Sequence, residues 1–338
     1  MLADFRPPLS LQNPHLQTLM SSLSRRRTVL EQAADMLGVT RELRLSCSDG
    51  SSAPVILQAW VSPQPRPAPV VVLIHGWLGN ADSNYLLSAA THLWRAGFTV
   101  ARLNLRDHGD TAHLNEELFH SARTREVVDA VGQLCREQGD GRGGVMGFSL
   151  GGNFALRVAR ALDLTTLAIC PAIDPAVTMR AIDSGWVGYR WYFIRKWHRA
   201  LRTKQAAFPD RYDFTEAYRL RSVSALTDLF VRRHTEYKDT ADYVSRYTLT
   251  GSVLEGTHAT IILAQDDPII PVHSFAQLPG HLRVVALPWG GHCGFLETPR
   301  GPTWVDQAAI RFFTAALEPS ERAASPGFAV APATCNRP

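Results

Sequence analysis

The sequence is short of features that would place it in several common classes. Its five cysteines (Cys47, Cys135, Cys170, Cys293 and Cys335) are odd in number and scattered, with no Cys-x-x-Cys pair. That pattern supports neither a disulfide framework nor a zinc site built on paired thiols. No run approaches the 18 or more apolar residues that a bilayer-spanning helix needs. The start, Met1-Leu2-Ala3-Asp4-Phe5-Arg6-Pro7-Pro8, lacks the apolar stretch of a signal peptide. A soluble cytoplasmic protein is the expectation. There is no internal repeat, and no large excess of either charge: 35 Lys+Arg against 31 Asp+Glu leave +4 over 338 residues.

With 45% hydrophobic and 20% charged residues, the chain has ample material for a folded core. The small net charge is unevenly placed. Residues 186–204 hold Arg190, Arg195, Lys196, Arg199, Arg202 and Lys204 without an acid, so this stretch is +6 and the other 319 residues sum to −2. The patch is too short, and the rest of the chain too neutral, for the broad basic face of a nucleic-acid binder. No nucleic-acid partner is expected.

Alternation at Leu43, Leu45 and Cys47, the turn signal Asp49-Gly50 and the apolar Val55 to Val61 predict an early hairpin. After the proline-rich connection Ser62 to Pro69, wholly apolar strands alternate with helical stretches. Strands are predicted at Val70 to Ile74, Phe98 to Leu105, Gly144 to Phe148, Thr166 to Cys170, Ala259 to Ala264 and Leu282 to Leu287. Helices are predicted at Asn84 to Arg95, Ala122 to Glu137, Asn153 to Leu162 and Pro302 to Leu317. Strands apolar on both faces, joined by helical crossovers, imply an α/β fold with a mostly parallel central sheet flanked by helices. Alternation stops between about Pro175 and Gly251, where the chain becomes helical, aromatic and basic. The expected division is a core of residues 1–173 and 252–317, a helical lid insertion of 174–251, and a flexible tail of 318–338.

Gly147-Phe148-Ser149-Leu150-Gly151 is a Gly-x-Ser-x-Gly pentapeptide, a pattern arising by chance about 0.1 times in a chain this long. It follows an apolar strand and opens a helix, the setting of a nucleophile elbow. A side chain two residues to either side of the serine would collide with the tight turn, so both positions require glycine. Ser149 is therefore the candidate nucleophile, at a helix N-terminus that favours developing negative charge. It needs a base, and the base an orienting acid. The acid is expected in Gln265-Asp266-Asp267-Pro268-Ile269-Ile270-Pro271, just past a strand. Asp267 is favoured because the following four residues close a turn that fixes its direction; Asp266 is the alternative. The base is expected in Trp289-Gly290-Gly291-His292-Cys293-Gly294-Phe295, and His292 alone among twelve histidines has glycines around it on a post-strand loop. Oxyanion donors are expected from the amides of Leu150 and of Trp77, in His75-Gly76-Trp77-Leu78-Gly79-Asn80. His75 is expected to shape that loop rather than act as a second base.

These residues give the chain a resemblance to the α/β-hydrolase superfamily. Phe5-Arg6-Pro7-Pro8, Asn13-Pro14-His15-Leu16-Gln17-Thr18-Leu19, Leu103-Asn104-Leu105-Arg106 and Gly147 to Asn153 look more narrowly like the YheT-like hydrolases (the AB hydrolase 4 family). The resemblance implies a Ser-Asp-His hydrolase of carboxylic esters, with animal relatives that attack lipid esters. It carries the roles to Ser149, Asp267 and His292, and implies a small-molecule ester substrate with no metal or organic cofactor. Trp77-Leu78 stands where the family usually has Leu-Glu, Asp107 stands where a glycine commonly follows Asn-x-Arg, and Cys293 sits beside the base. Acyl transfer by the same triad, or a non-catalytic ligand-binding scaffold, are the alternative functions.

As a helix, 186–204 would gather Trp186, Phe193, Ile194, Trp197 and Leu201 within an arc of about 100°, with Arg195, Lys196, Arg199 and Arg202 opposite. A docked helix with a solvated charged face is the plainer expectation. A peripheral contact with anionic lipid is the sharper one.

Overall fold

A computed structural model describes residues 5–51 and 53–317. The expected flexible tail at 318–338 lies outside the described residues. Eight strands form one sheet: β1 (Arg41–Cys47), β2 (Val55–Ser62), β3 (Val70–Ile74), β4 (Thr99–Asn104), β5 (Gly143–Phe148), β6 (Thr165–Ile169), β7 (Thr260–Ala264) and β8 (Arg283–Leu287). Ten α-helices accompany them: α1 (Pro14–Leu19), α2 (Arg26–Gly38), α3 (Asn84–Arg95), α4 (Arg125–Gln138), α5 (Leu150–Leu162), α6 (Pro175–Ser184), α7 (Val187–Ala207), α8 (Val223–His234), α9 (Thr240–Ser245) and α10 (Trp304–Leu317).

The strand order is β1-β2-β4-β3-β5-β6-β7-β8. β1 and β2 pair antiparallel with each other, and β2 antiparallel with β4. From β4 to β8 every pairing is parallel. All residues of β3, β4 and β7 are buried, as expected where helices cover both faces of a sheet. One face packs α2, α3 and α10 through Val29, Leu86, Leu93, Trp304 and Phe313. The other packs α4 and α5 through Val127, Val131, Phe154 and Val158. The chain moves from β3 outward to β4 on one side and then to β5 on the other. This reversal opens a crevice at the carboxyl ends of β3 and β5, where open α/β sheets bind ligands.

Helices α6 to α9 lie between β6 and β7 in the chain. Their starts follow capping chemistry: Asp174 accepts the Val177 amide at 3.0 Å, Ser222 that of Ala225 at 3.1 Å, and Asp239 that of Asp242 at 2.8 Å. Ile182, Tyr189, Ile194, Leu201, Leu226 and Phe230 form their shared apolar layer.

The basic stretch departs from the expected faces at Trp186 and Lys196, and neither expected face includes Lys204. Trp186 is 49% exposed rather than inside, because the helix begins at Val187 and Trp186 precedes it with φ −59° and ψ 124°. Lys196 lines the main cavity instead of the solvent face; at 100° per residue it lies only about 60° from Phe193. Lys204 falls on the apolar stripe itself and is buried. Its ammonium donates to Asp107 Oδ1 at 2.8 Å and to the carbonyls of Ala112, Asn115 and Glu117 at 3.2, 2.6 and 3.3 Å. A buried charge of this kind is tolerable only when so fully paired. Asp107 itself has φ 60°, the region glycine favours. Its carboxylate also accepts the Phe119 amide at 2.8 Å. The departure from the glycine common at this position thus ties α7 to the loop after β4.

Candidate active site

The Gly-x-Ser-x-Gly turn joins β5 to α5 with Ser149 at φ 56° and ψ −119°. A Cβ on Gly147 would sit 2.0 Å from the Gly151 carbonyl oxygen, and one on Gly151 2.2 Å from that of Ile74. The two glycines are therefore steric requirements of the turn. Ser149 is held by its amide, which donates to the Ile169 carbonyl at 2.9 Å.

His292 Nε2 lies 2.9 Å from Ser149 Oγ, and its Nδ1 lies 2.8 Å from Asp267 Oδ2. A carboxylate can only accept, so Nδ1 carries a proton toward Asp267, and in the neutral ring Nε2 is left to accept from the serine hydroxyl. Asp267 Oδ1 accepts the amides of Ile269 and Ile270 at 2.8 and 2.9 Å, the turn expected from Pro-Ile-Ile-Pro. Asp266 faces elsewhere: its Oδ1 accepts the Gly291 amide at 2.9 Å. Burial disfavours a charged imidazole, but the Asp267 carboxylate and the Cys293 sulfur outweigh it and hold His292 up at about 9.

The loop after β3 is fixed by neutral histidines. His75 Nδ1 donates to the Gly76 carbonyl at 2.8 Å and its Nε2 accepts the Leu105 amide at 3.2 Å. His108 Nε2 accepts the Leu78 amide at 3.2 Å, and its Nδ1 donates to the Arg106 carbonyl at 2.7 Å. Burial drives His75 well below the ordinary histidine value and His108 down to about 4. Both rings act as fixed scaffolding, as expected for His75. Tyr85 Oη accepts the Gly76 amide at 2.9 Å. Between these two engaged amides, the Trp77 amide donates to no group among the described residues, and the same holds for Leu150 at the start of α5.

Sequence reasoning missed what holds the histidine loop. Thr18 Oγ1 accepts the His292 amide at 2.9 Å. Gln17 accepts the Leu296 amide at 2.7 Å and donates to the carbonyls of Leu11 and Leu296 at 2.7 and 3.1 Å. His15 Nδ1 lies 2.9 Å from Tyr189 Oη on α7. The Asn-Pro-His-Leu-Gln-Thr segment therefore buttresses His292 from one side and meets the helical insertion on the other. Its unusual density of small-turn and amide residues was the available signal.

Ser149, His292, Trp77 and Leu150 open on a cavity of about 530 Å³. Its far wall comes from the insertion, chiefly Met179, Ile182, Phe193, Trp197 and Phe230. The Trp77 ring stacks on Phe193 at 5.6 Å and meets Trp197 edge-on at 5.0 Å. Lys196, Arg26 and Asp82 supply charge at its lining.

A model of the alpha/beta hydrolase family matches residues 71–303. The chain belongs to that family. Within it the chain is YheT-like: it is 24% identical over 309 residues to the Escherichia coli (strain K12) protein named "Putative esterase YheT", with 87% of each chain covered. Among solved structures, this alpha/beta hydrolase is similar to a hyperthermophilic esterase from the archaeon Pyrobaculum calidifontis. That match has 18% identity and a TM-score of 0.53, covering 91% of this chain and 100% of the other. The Pyrococcus furiosus esterase Pf2001 matches at 14% identity and a TM-score of 0.53, covering 85% and 94%. At these identities the structural likeness is one of fold. Among the described residues of this hydrolase, no helix is long and apolar enough to cross a membrane.

Proposed function

We propose that the protein hydrolyses carboxylic esters with an apolar acyl chain, through an acyl-enzyme on Ser149. The observation that supports this best is the unbroken chain Ser149–His292–Asp267 opening on the apolar cavity. Ser149 Oγ attacks the acyl carbonyl while His292 takes its proton, and Asp267 holds the imidazole in the required tautomer. The carbonyl oxygen becomes an oxyanion that the free amides of Trp77 and Leu150 are positioned to receive, each worth roughly 3 to 4 kcal/mol. His292 returns the proton to the leaving alcohol, and a water repeats the sequence to release the acid. In this reading residues 174–251 are the lid, and its apolar underside holds the acyl chain.

A p-nitrophenyl ester series tests the proposal. From acetate to octanoate, kcat/KM is expected to rise by up to about fourfold per methylene, the value of burying one CH₂. A flat series would remove the acyl site from the lid. The same assay reads the base. His292 must be neutral to accept a proton, and its raised value means that the neutral fraction grows until the pH reaches about 9. The rate should therefore climb about tenfold per pH unit below that point and then level off. A plateau already reached at pH 7 would contradict the environment assigned to His292.

A peripheral contact with anionic lipid through residues 186–204 is a second part of the proposal. Trp186, Val187 and Trp191 are 49%, 59% and 62% exposed, and the Arg195 guanidinium lies 5.3 Å over the Trp191 ring. Exposed aromatics beside cations suit an anionic membrane surface. Flotation with phosphatidylcholine vesicles should show binding that rises when phosphatidylglycerol is added. Binding independent of the anionic lipid would end this part.

A further inference from the structure

The cysteines scattered in the sequence are not all apart in space. Cys170 follows β6 directly, and Cys293 follows His292 in the loop after β8. Both backbones are in the left-handed region, at φ 43° and φ 60°, a conformation cysteine rarely adopts. These turns bring the two thiols beside the imidazole: Cys170 Sγ, Cys293 Sγ and a His292 ring nitrogen all lie within 4.8 Å of one another. The two thiols hydrogen-bond each other, and each makes one further long contact: Cys170 Sγ lies 4.0 Å from the Gly291 carbonyl oxygen and Cys293 Sγ 3.9 Å from that of Ile169.

We propose that Cys170, Cys293 and His292 form a capture site for a thiophilic divalent cation, zinc foremost, whose binding takes His292 out of the reaction and switches the enzyme off. The inference rests on the reading of His292 as the base. Three observations support it. Tetrahedral zinc, with Zn–S of about 2.3 Å and Zn–N of about 2.0 Å, needs ligand atoms roughly 3.3 to 3.8 Å apart. The three atoms are close enough that side-chain adjustment completes the set. Asp267 already holds Nδ1 at 2.8 Å, the carboxylate–histidine arrangement that orients metal-bound imidazoles, and this leaves Nε2 for the cation. His292 and Cys293 line the open cavity, which provides the entry path.

Charge also selects the ion. Binding forms two metal–sulfur bonds and one metal–nitrogen bond, and releases to solvent the two thiol protons and, wherever the imidazole is charged, its Nε2 proton. A divalent cation with two thiolates and a neutral imidazole is uncharged, which a buried site can accommodate. Sulfur ligands disfavour magnesium and calcium. The Nε2 lone pair that would take the Ser149 proton is then bound to metal. Two buried cysteines alone would be small apolar packing residues; the histidine at the cavity wall makes the group a site.

The test has two arms. EDTA-treated wild-type protein is assayed for p-nitrophenyl ester hydrolysis across a zinc titration, with magnesium as control. Zinc, and not magnesium, is expected to lower kcat/KM by tenfold or more, with recovery on adding EDTA. Cys170→Ala and Cys293→Ala, each compared with its own metal-free rate, should raise the half-inhibitory zinc concentration by about 10- to 100-fold or more. Cys170→Ser and Cys293→Ser repeat the comparison should either alanine variant fold poorly. Equal inhibition of wild type and cysteine variants would overturn the proposal. The second arm needs no activity: cadmium is titrated into Ser149→Ala protein and read by thiolate-to-cadmium charge-transfer absorption. The expected band saturates at one equivalent and is lost when either cysteine is also replaced. Absence of the band overturns the metal site whatever the esterase result. A cysteine-dependent band in a protein without esterase activity keeps the metal site and overturns only the catalytic reading.

Discussion

Replacing Ser149 by alanine is expected to lower kcat toward p-nitrophenyl esters by about 10⁶-fold, the usual cost of losing a triad serine. The stability of the fold should barely change. Among the described residues the side-chain oxygen has one hydrogen-bond partner, His292 Nε2 at 2.9 Å, and the turn is held by backbone bonds and by the flanking glycines. Alanine keeps the Cβ and the φ of 56°, so the elbow survives without its nucleophile. Wild-type protein should label with a fluorophosphonate and the variant should not. Substrate binding and the Trp77 and Leu150 amides would persist, leaving a residual acceleration of roughly 10³ to 10⁴ over water. Unchanged hydrolysis in Ser149→Ala would remove Ser149 as nucleophile.

The second large effect separates two adjacent carboxylates. Asp267→Asn is expected to lower kcat by about 10⁴-fold, whereas Asp266→Asn should cost less than about tenfold. Asp267 spends one oxygen on the amides of Ile269 and Ile270 and presents the other to His292 Nδ1. In an asparagine the backbone amides would retain the carbonyl oxygen, and the NH₂ group would face the ring. Nδ1 would then have to accept, which puts the proton on Nε2 and leaves no lone pair for the serine. Loss of the carboxylate charge would also lower the His292 pKa. Asp266 bonds backbone amides, chiefly that of Gly291, and an asparagine oxygen can do the same. The reverse order of effects would transfer the role to Asp266.

The helix and strand pattern was legible because it depends on local rules. β3 and α3 begin and end at the residues that apolar runs and turn signals indicate, and the other strands shift by a residue or so at their ends. The Gly-x-Ser-x-Gly turn was legible for the same reason. Its glycines answer collisions within a few residues, apart from the close approach of Ile74 to Gly151. Asp267 and His292 could be singled out because the residues after each parallel strand arrive at the same edge of the sheet. Lys204 was legible in principle, since helical periodicity puts it on the apolar stripe. Neither expected face of the helix included it; a lysine is buried where a carboxylate waits, here Asp107 at 2.8 Å.

By itself, the sequence determined the parallel sheet, the Gly-x-Ser-x-Gly turn between a strand and a helix, and the presence of a helical stretch after β6. Each follows from periodicity or from steric limits within a short stretch of backbone. Only the tertiary structure decided that Thr18 anchors the His292 amide across 274 residues, that Lys204 joins Asp107 across 97, and that Cys170 and Cys293 meet at the imidazole. Such contacts depend on how loops from different strands converge over one edge of the sheet. No local pattern encodes that convergence, because the partners share neither a helix face nor a strand register.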